Sequence, residues 1–267
     1  MKIYKDEDLP QGSEEWLAVR KEHGTASEVA AVLEVSPWTP KTPLQLWKVK
    51  NGEITIAMNE AMRIGSDTED EARESFEKFI GSKYDACCIT DTIKGLPLMA
   101  SLDGRSKDKS IVEIKVPMSG SCSPLWASME TDEELPIQYV TQMQQQMLLS
   151  GQDECHFWVY DRKNKRGLHR IVKQDNQVQQ QILDGWAKYF RGKPEAGDKD
   201  VIERSDKEWL EATEAWKKAK EDADAATKLQ KELRQNLINL CDRSYKGNQV
   251  QLTKNNDTGA WSIRKVK

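Results

Sequence analysis

The hydrophobic and polar positions change rhythm repeatedly along the chain. Between residues 84 and 116 the apolar residues come in short runs separated by turn residues, Tyr84–Thr90, Leu98–Leu102 and Ile111–Val116, which predicts β-strands. The last two bracket Gly104-Arg-Ser-Lys-Asp-Lys-Ser and read as a hairpin. Ahead of them the rhythm is helical. Ser13 caps a predicted helix through Glu22, closed by Gly24, and the capping box Thr25-Ala-Ser-Glu28 opens a short helix from Ala26 to Leu33. Thr42-Pro43 starts a helix that Gly52 closes, and Asn59 caps a long one to Ile80, before Gly81. At 100° per residue, Ala61, Met62, Gly65, Ala72, Phe76, Phe79 and Ile80 of that helix make one apolar stripe, with Glu69 in its middle.

After the hairpin, a stretch rich in Ser, Pro and acids reads as a loop, and Ile137–Ser150 as a helix stopped by Gly151. Its Val140, Met143, Met147 and Leu148 form a packing stripe, and its glutamines read as polar filler or as the lining of a cleft. Glu154–Tyr160 and Gly167–Val172 predict a second hairpin around the basic turn Asp161-Arg-Lys-Asn-Lys-Arg166, a solvated turn or a contact for backbone phosphate. A helix over Gln177–Arg191 follows. From Asp206 the period becomes heptad: Trp209, Ala212, Trp216, Ala219, Ala223, Ala226, Gln230, Leu233, Leu237 and Leu240 take successive a and d positions. That predicts a coiled coil or long helical arm of roughly 50 Å, ahead of a terminal hairpin, Asn248–Leu252 with Ala260–Val266. The expected division is a domain over 1–200 and an arm over 201–267 for assembly or partner contact.

Composition narrows the function. The 267 residues are 37% hydrophobic and 31% charged, with net charge −4, so any nucleic-acid contact has to be local rather than a basic coat. The five cysteines include no Cys-x-x-Cys pair, which argues against a zinc or iron–sulfur site. No apolar run approaches the ~18 residues of a membrane span, and the expected location is cytosolic.

Candidate chemistry gathers on the first hairpin. Strand alternation puts Glu113 and Lys115 on one face and Val112, Ile114 and Val116 on the other, and Asp103 can converge from the partner strand. Two carboxylates beside an ammonium suit a hard cation and an activated water; the plain alternative is a solvated edge strand. Glu69, on a core-facing stripe, is either a third acid or a buried salt-bridge partner. Ser27, in the first turn of its helix, and Arg20 suit an anion, and Tyr139, Gln142 and Gln146 share the adjacent face of the Ile137–Ser150 helix.

Over residues 11–190 the chain resembles the YqaJ-type viral recombinases, the phage lambda exonuclease family of PD-(D/E)XK nucleases. The resemblance rests on Gly12-Ser-Glu-Glu-Trp16-Leu-Ala-Val-Arg20, Thr25-Ala-Ser27, Ser36-Pro-Trp-Thr-Pro, Gly65-x3-Glu69-x2-Ala72-Arg73, Ser101-Leu-Asp103-Gly, Glu113-Ile-Lys115-x-Pro117 and Tyr139-x2-Gln142-x-Gln144, in that order. It implies an α/β, restriction-endonuclease-like three-layer core, a mixed sheet flanked by helices, and Mg²⁺-dependent 5′→3′ degradation of one strand of duplex DNA, with Mn²⁺ as a substitute ion. By resemblance, Asp103, Glu113 and Glu69 hold metal, Lys115 positions or activates water, and Gln142 and Tyr139 shape the site. Arg20, Ser27 and Ser101 hold the terminal 5′-phosphate. The implied setting is a bacterial host's cytoplasm, with phage or prophage origin. The implied partners are duplex DNA ends, further copies in a ring (commonly a trimer) and a single-strand annealing protein. The chain departs from some relatives in having Met118-Ser-Gly-Ser121, without a basic residue, after Pro117. The rival readings are an endonuclease of the same core, acting at internal sites, and a non-catalytic DNA-binding recombination scaffold.

Overall fold

Every predicted N-cap serves as one in the computed structural model, which describes residues 1–131, 133–201 and 204–266. After strand β1 (Lys2–Lys5), Ser13 Oγ accepts the Trp16 amide to start α1 (Glu14–Glu22). Gly24 does not simply close it; with Thr25 it forms a two-residue strand, β2, because the chain passes straight into the sheet. The capping box at Thr25 opens a 3₁₀ turn (Ala26–Glu28) that tightens the entry to α2 (Val29–Val32). Thr42 caps α3 (Pro43–Lys50), and Asn59 caps α4 (Glu60–Ile80), which Gly81 ends in the left-handed conformation.

Strands β3 (Asp85–Ile93), β4 (Leu96–Arg105) and β5 (Ile111–Lys115) run antiparallel in turn. The stretch expected to be a loop contains α5 (Pro124–Glu130), capped by Ser123 with Pro124 in its first turn. Seven residues are too few for a helical period to show, so only the cap carried the signal. Then come α6 (Ile137–Ser150), β6 (Glu154–Asp161), β7 (Arg166–Lys173) and α7 (Asn176–Tyr189). The sheet order is β1-β3-β4-β5-β6-β7, with β2 pairing parallel to β4. The β5–β6 pair is also parallel, since α5 and α6 carry the chain over the sheet between them. The sheet is mixed and lies between α6, α2 and α7 on one face and α4 on the other.

The stripe of α4 is a correction. Met62 and Phe79 are exposed, and the buried row is Ile64, Thr68, Ala72 and Phe76. Those residues are spaced by four, so the helix packs along a single inclined ridge, which an average of 100° per residue smears out. Glu69 flanks that ridge, half-buried.

Helix α6 overturns the reading of its glutamines as filler. Gln144, Gln145 and Gln146 are fully buried, and their amides bond backbone groups of the strands beneath and of the turn after β7. Gln145 Nε2 donates to Gly24 O (2.8 Å) and Met99 O (3.1 Å), while its Oε1 accepts Trp186 Nε1 at 2.7 Å. Gln144 joins Lys173 O to the Asp175 amide. A polar helix can sit in the core here because its side chains find hydrogen-bond partners on the backbone packed against it.

Beneath α4, Phe76 packs on Tyr84, Trp158, His156 and His169. His156 Nδ1 and His169 Nε2 lie 2.8 Å apart, so one ring donates to the other. Burial lowers both pKa values, that of His169 to about 4 with the neighbouring His156 adding to it. The unfolded chain therefore takes up these protons first, near pH 6.5, and stability falls with pH from there toward about 4. Urea midpoints measured across that range should fall steadily for the wild type and stay flatter for His169→Phe.

The second compact unit begins after Val201. Asp206 caps α8 (Lys207–Asn239), whose described side chains include none that is fully buried. The terminal hairpin has a third strand: β8 (Tyr245–Gly247) pairs with β9 (Val250–Lys254), which pairs with β10 (Trp261–Lys265).

Candidate active site

The site opens where β4 and β5 part. Their ladder covers only Gly104↔Val112 and Arg105↔Ile111. On its other edge β4 carries a bulge: Leu102 faces Cys87 and Arg105 faces Asp85, three steps against two. The bulge breaks the alternation after Leu102 and re-aims Asp103. Asp103 Oδ2 then accepts the Ile114 amide at 2.7 Å, filling with a side chain the place where the ladder stops. Gly104 is required by the crowding of the same spot, since a Cβ there would meet Tyr84 Cβ at 2.7 Å and Val112 Cγ1 at 2.9 Å.

Glu113 is 0% exposed, the most demanding position for a carboxylate. It is matched by three donors. Lys115 Nζ pairs with Oε1, Gln142 Nε2 donates to Oε1 at 2.8 Å, and Gln146 Nε2 donates to Oε2 at 2.5 Å. Burial alone would lower the pKa of Lys115, but the charges of Glu113 and Asp103 more than reverse it and hold the ammonium protonated. Tyr139 presents its ring 5.5 Å from Lys115 Nζ. Asp103 is driven well above the usual carboxylate range by burial and by the charges of Glu113 and Glu69. Glu69 is raised by burial and Glu113, against the pull of Arg73, whose Nη1 lies 3.7 Å from it. Arg73 Nη1 also donates to Asp103 O at 3.0 Å, so it ties α4 to the bulge.

The charge of Glu113 raises the proton affinity of Asp103 and Glu69, and the hard oxygen donors of the three carboxylates fit a small divalent cation such as Mg²⁺. Among the described residues no group of three or more His, Cys, Asp or Glu side chains is disposed to enclose an ion. Protein donors satisfy the oxygens instead: Ile114 N for Asp103, Lys115 and the two glutamines for Glu113.

The other predicted residues form a second neighbourhood around Trp16. Ser101 Oγ accepts Trp16 Nε1 at 3.2 Å, the Arg20 guanidinium lies 5.1 Å from the Trp16 ring, and Arg20 Nη2 donates to Ser27 Oγ at 3.3 Å. Two residues that sequence reasoning missed complete it. Glu28 Oε1 takes Arg20 Nη2 at 3.0 Å, and its Oε2 takes Lys50 Nζ at 2.9 Å. Lys50 Nζ also donates to the Arg20 and His23 carbonyls. The two neighbourhoods meet at Gln146, whose Nε2 reaches Ser101 O at 3.3 Å as well as Glu113. Gln146 shares the helix face of Tyr139 and Gln142, as its spacing from them predicts; Lys50, from a separate helix, carried no signal.

Similar proteins share this arrangement of elements. The model of the YqaJ-like viral recombinase domain matches residues 15–153, more than half the chain and the whole of both neighbourhoods. The crystal structure of an alkaline exonuclease (LHK-Exo) from Laribacter hongkongensis is 25% identical, with a TM-score of 0.53 over 67% of this chain and 91% of that one. The same exonuclease in complex with dAMP is 26% identical, with a TM-score of 0.54 over the same shares. No curated protein matches the chain. The likeness fixes the fold as restriction-endonuclease-like. Since the match takes in both the carboxylate–lysine fork and the residues around Trp16, the chain belongs to the YqaJ-like viral recombinase family, a phage-type family of recombination exonucleases.

Proposed function

We propose that the protein is a divalent-metal-dependent exonuclease that degrades the 5′-ended strand of linear duplex DNA and leaves 3′ single-stranded tails. The observation that carries this reading is the fully buried Glu113 clamped by Lys115, Gln142 and Gln146 beside two acids of raised pKa. Asp103, Glu113 and Glu69 would hold Mg²⁺ or Mn²⁺, which supplies charge stabilisation at the scissile phosphate and a more acidic water. Lys115, kept protonated, orients the attacking water and offsets the charge that develops on the phosphate oxygens. Gln142 and Gln146 fix the Glu113 carboxylate, and the ring of Tyr139 borders the ammonium.

Direction comes from the residues around Trp16. Arg20 and Ser27, with Ser101 close by, suit the terminal 5′-phosphate, and holding each new 5′-end favours advance over release. The exposed tail suits a single-strand annealing protein, and closure of several copies into a ring would keep the enzyme on its track. No helix among the described residues is long and apolar enough to cross a membrane. The setting proposed with this activity is a bacterial host's cytoplasm. Linear duplex with 5′-phosphate or 5′-hydroxyl ends, and covalently closed circles, should be incubated with Mg²⁺ or Ca²⁺. We expect mononucleotides from phosphorylated linear ends with Mg²⁺ only. Cutting of closed circles would assign an endonuclease instead.

Lys50 gives a sharper check on the phosphate site. Burial lowers its pKa and Glu28 works against that; with Arg20 it leaves the trio one positive charge in excess. Lys50→Met removes that excess and frees Glu28 to neutralise Arg20. The rate ratio between 5′-phosphate and 5′-hydroxyl ends should fall on the order of tenfold, about 1.4 kcal/mol. A merely destabilised variant would lose both rates in parallel.

A further inference from the structure

We propose that Trp38 is a stacking platform for a nucleobase of the strand being degraded, next to the scissile phosphate. The inference rests on the nuclease reading above and adds a base-binding subsite to it. Trp38 sits in Ser36-Pro37-Trp38-Thr39-Pro40, a loop stiffened by two prolines. Ser36 Oγ donates to Trp38 O at 2.7 Å and accepts the Trp38 amide at 3.3 Å, so the backbone under the indole is held from one side chain. The indole itself is 56% exposed. A single exposed aromatic is ordinary on a protein surface; the place of this one is what matters.

Trp38 is the open end of an aromatic row. Its ring lies 6.0 Å from that of Tyr139 and tilted by 47°. Tyr139 lies 5.8 Å from Phe157, which is fully buried under α6. Lys115 Nζ approaches the Tyr139 ring at 5.5 Å. The row therefore starts in the core, passes the ammonium that faces the reaction, and ends in water. Tyr139 supports the indole at that inner end, and more than half of Trp38 stays open to a flat ligand.

The chemistry asks for such a ligand. At a duplex end the terminal nucleotides of the 5′ strand can be drawn away from the complement toward the carboxylate and lysine. The base carried with it then loses its stacking partners. An indole beside the site replaces that stacking without regard to sequence, because every base offers a π-face. An exonuclease that must consume any sequence needs a contact of this kind rather than base-edge hydrogen bonds.

The test is a cycle between protein and DNA. Duplexes with a 5′-phosphate are prepared with natural nucleotides or with abasic sites at the first three positions of the 5′ strand. Their binding is measured by fluorescence anisotropy in Ca²⁺, and their digestion in Mg²⁺. On natural ends Trp38→Ala should bind about tenfold more weakly than wild type, and Trp38→Phe should recover most of the loss. On abasic ends wild type and Trp38→Ala should bind alike. An equal loss on natural and abasic ends would overturn the proposal, as would unchanged binding with a smaller particle mass in light scattering, which would place Trp38 between copies of the chain. If the wild type digests natural ends but shows no coupling to Trp38, stacking alone is wrong. If it neither binds nor digests duplex ends, the nuclease reading has failed first.

Discussion

Lys115→Ala should abolish DNA hydrolysis and also weaken the fold, and the two losses have one origin. Lys115 is the only cation in contact with the fully buried Glu113 among the described residues. In the proposed mechanism its removal takes away the group that orients water and offsets charge, for which losses of about 10²–10⁴ in kcat are typical. It also strands a carboxylate at a position without solvent. Breaking a buried pair from one side costs about 3–5 kcal/mol. Gln142 and Gln146 still donate to Glu113, and the lysine is partly exposed, so the loss should sit near the lower end of that span. The double variant Glu113→Gln, Lys115→Ala has no stranded charge. It should be as inactive as the single variant but closer to wild type in its urea midpoint. If Lys115→Ala digests linear duplex at the wild-type rate, the fork between β4 and β5 is structural and the scaffold reading gains.

Why the fork could be foreseen only in part follows from what each residue's signal depends on. Glu113 and Lys115 were legible because strand alternation is a local rule and both lie within one strand. Helix caps were legible for the same reason: Ser13, Thr42 and Asn59 each act on amides a few residues away. The bulge that brings Asp103 to Ile114 was not, since it is defined by the register of a neighbouring strand. The buried glutamines of α6 were misread because side-chain polarity says nothing about which distant carbonyls a helix will meet. Burial of the α4 ridge depended on the angle at which that helix crosses the sheet. Strands β1 and β8 had no predicted counterpart; each is four residues or fewer and takes its identity from the strand it pairs with. What was local could be read early, and what two elements make together had to await the fold. Arg20 and Ser27 were legible from the helix terminus between them, whereas resemblance supplied Ser101, whose approach to Trp16 no local rule foretells.

Added Mg²⁺ should stabilise the protein, more strongly at alkaline than at acidic pH, and Asp103→Asn should remove that response. Burial and the charges of Glu113 and Glu69 raise the pKa of Asp103, and burial and Glu113 raise that of Glu69. The folded, metal-free protein thus binds more protons than the unfolded chain above the ordinary carboxylate pKa. Its stability from these two groups is greatest at low pH and declines as pH rises toward their folded values. This is opposite in sign to the histidine pair, so the two contributions separate in the variants. A cation competes with protons for the same oxygens, and its benefit grows as they ionise. At a hundredfold excess over Kd it would reach about 2.7 kcal/mol. Asp103→Asn keeps an oxygen to accept the Ile114 amide but loses the repelled charge. Metal-free at pH 8, it should be at least as stable as wild type, yet show no gain in melting temperature with Mg²⁺ and a rate lower by about 10³ or more. A Mg²⁺-induced gain that survives in Asp103→Asn would place the ion elsewhere.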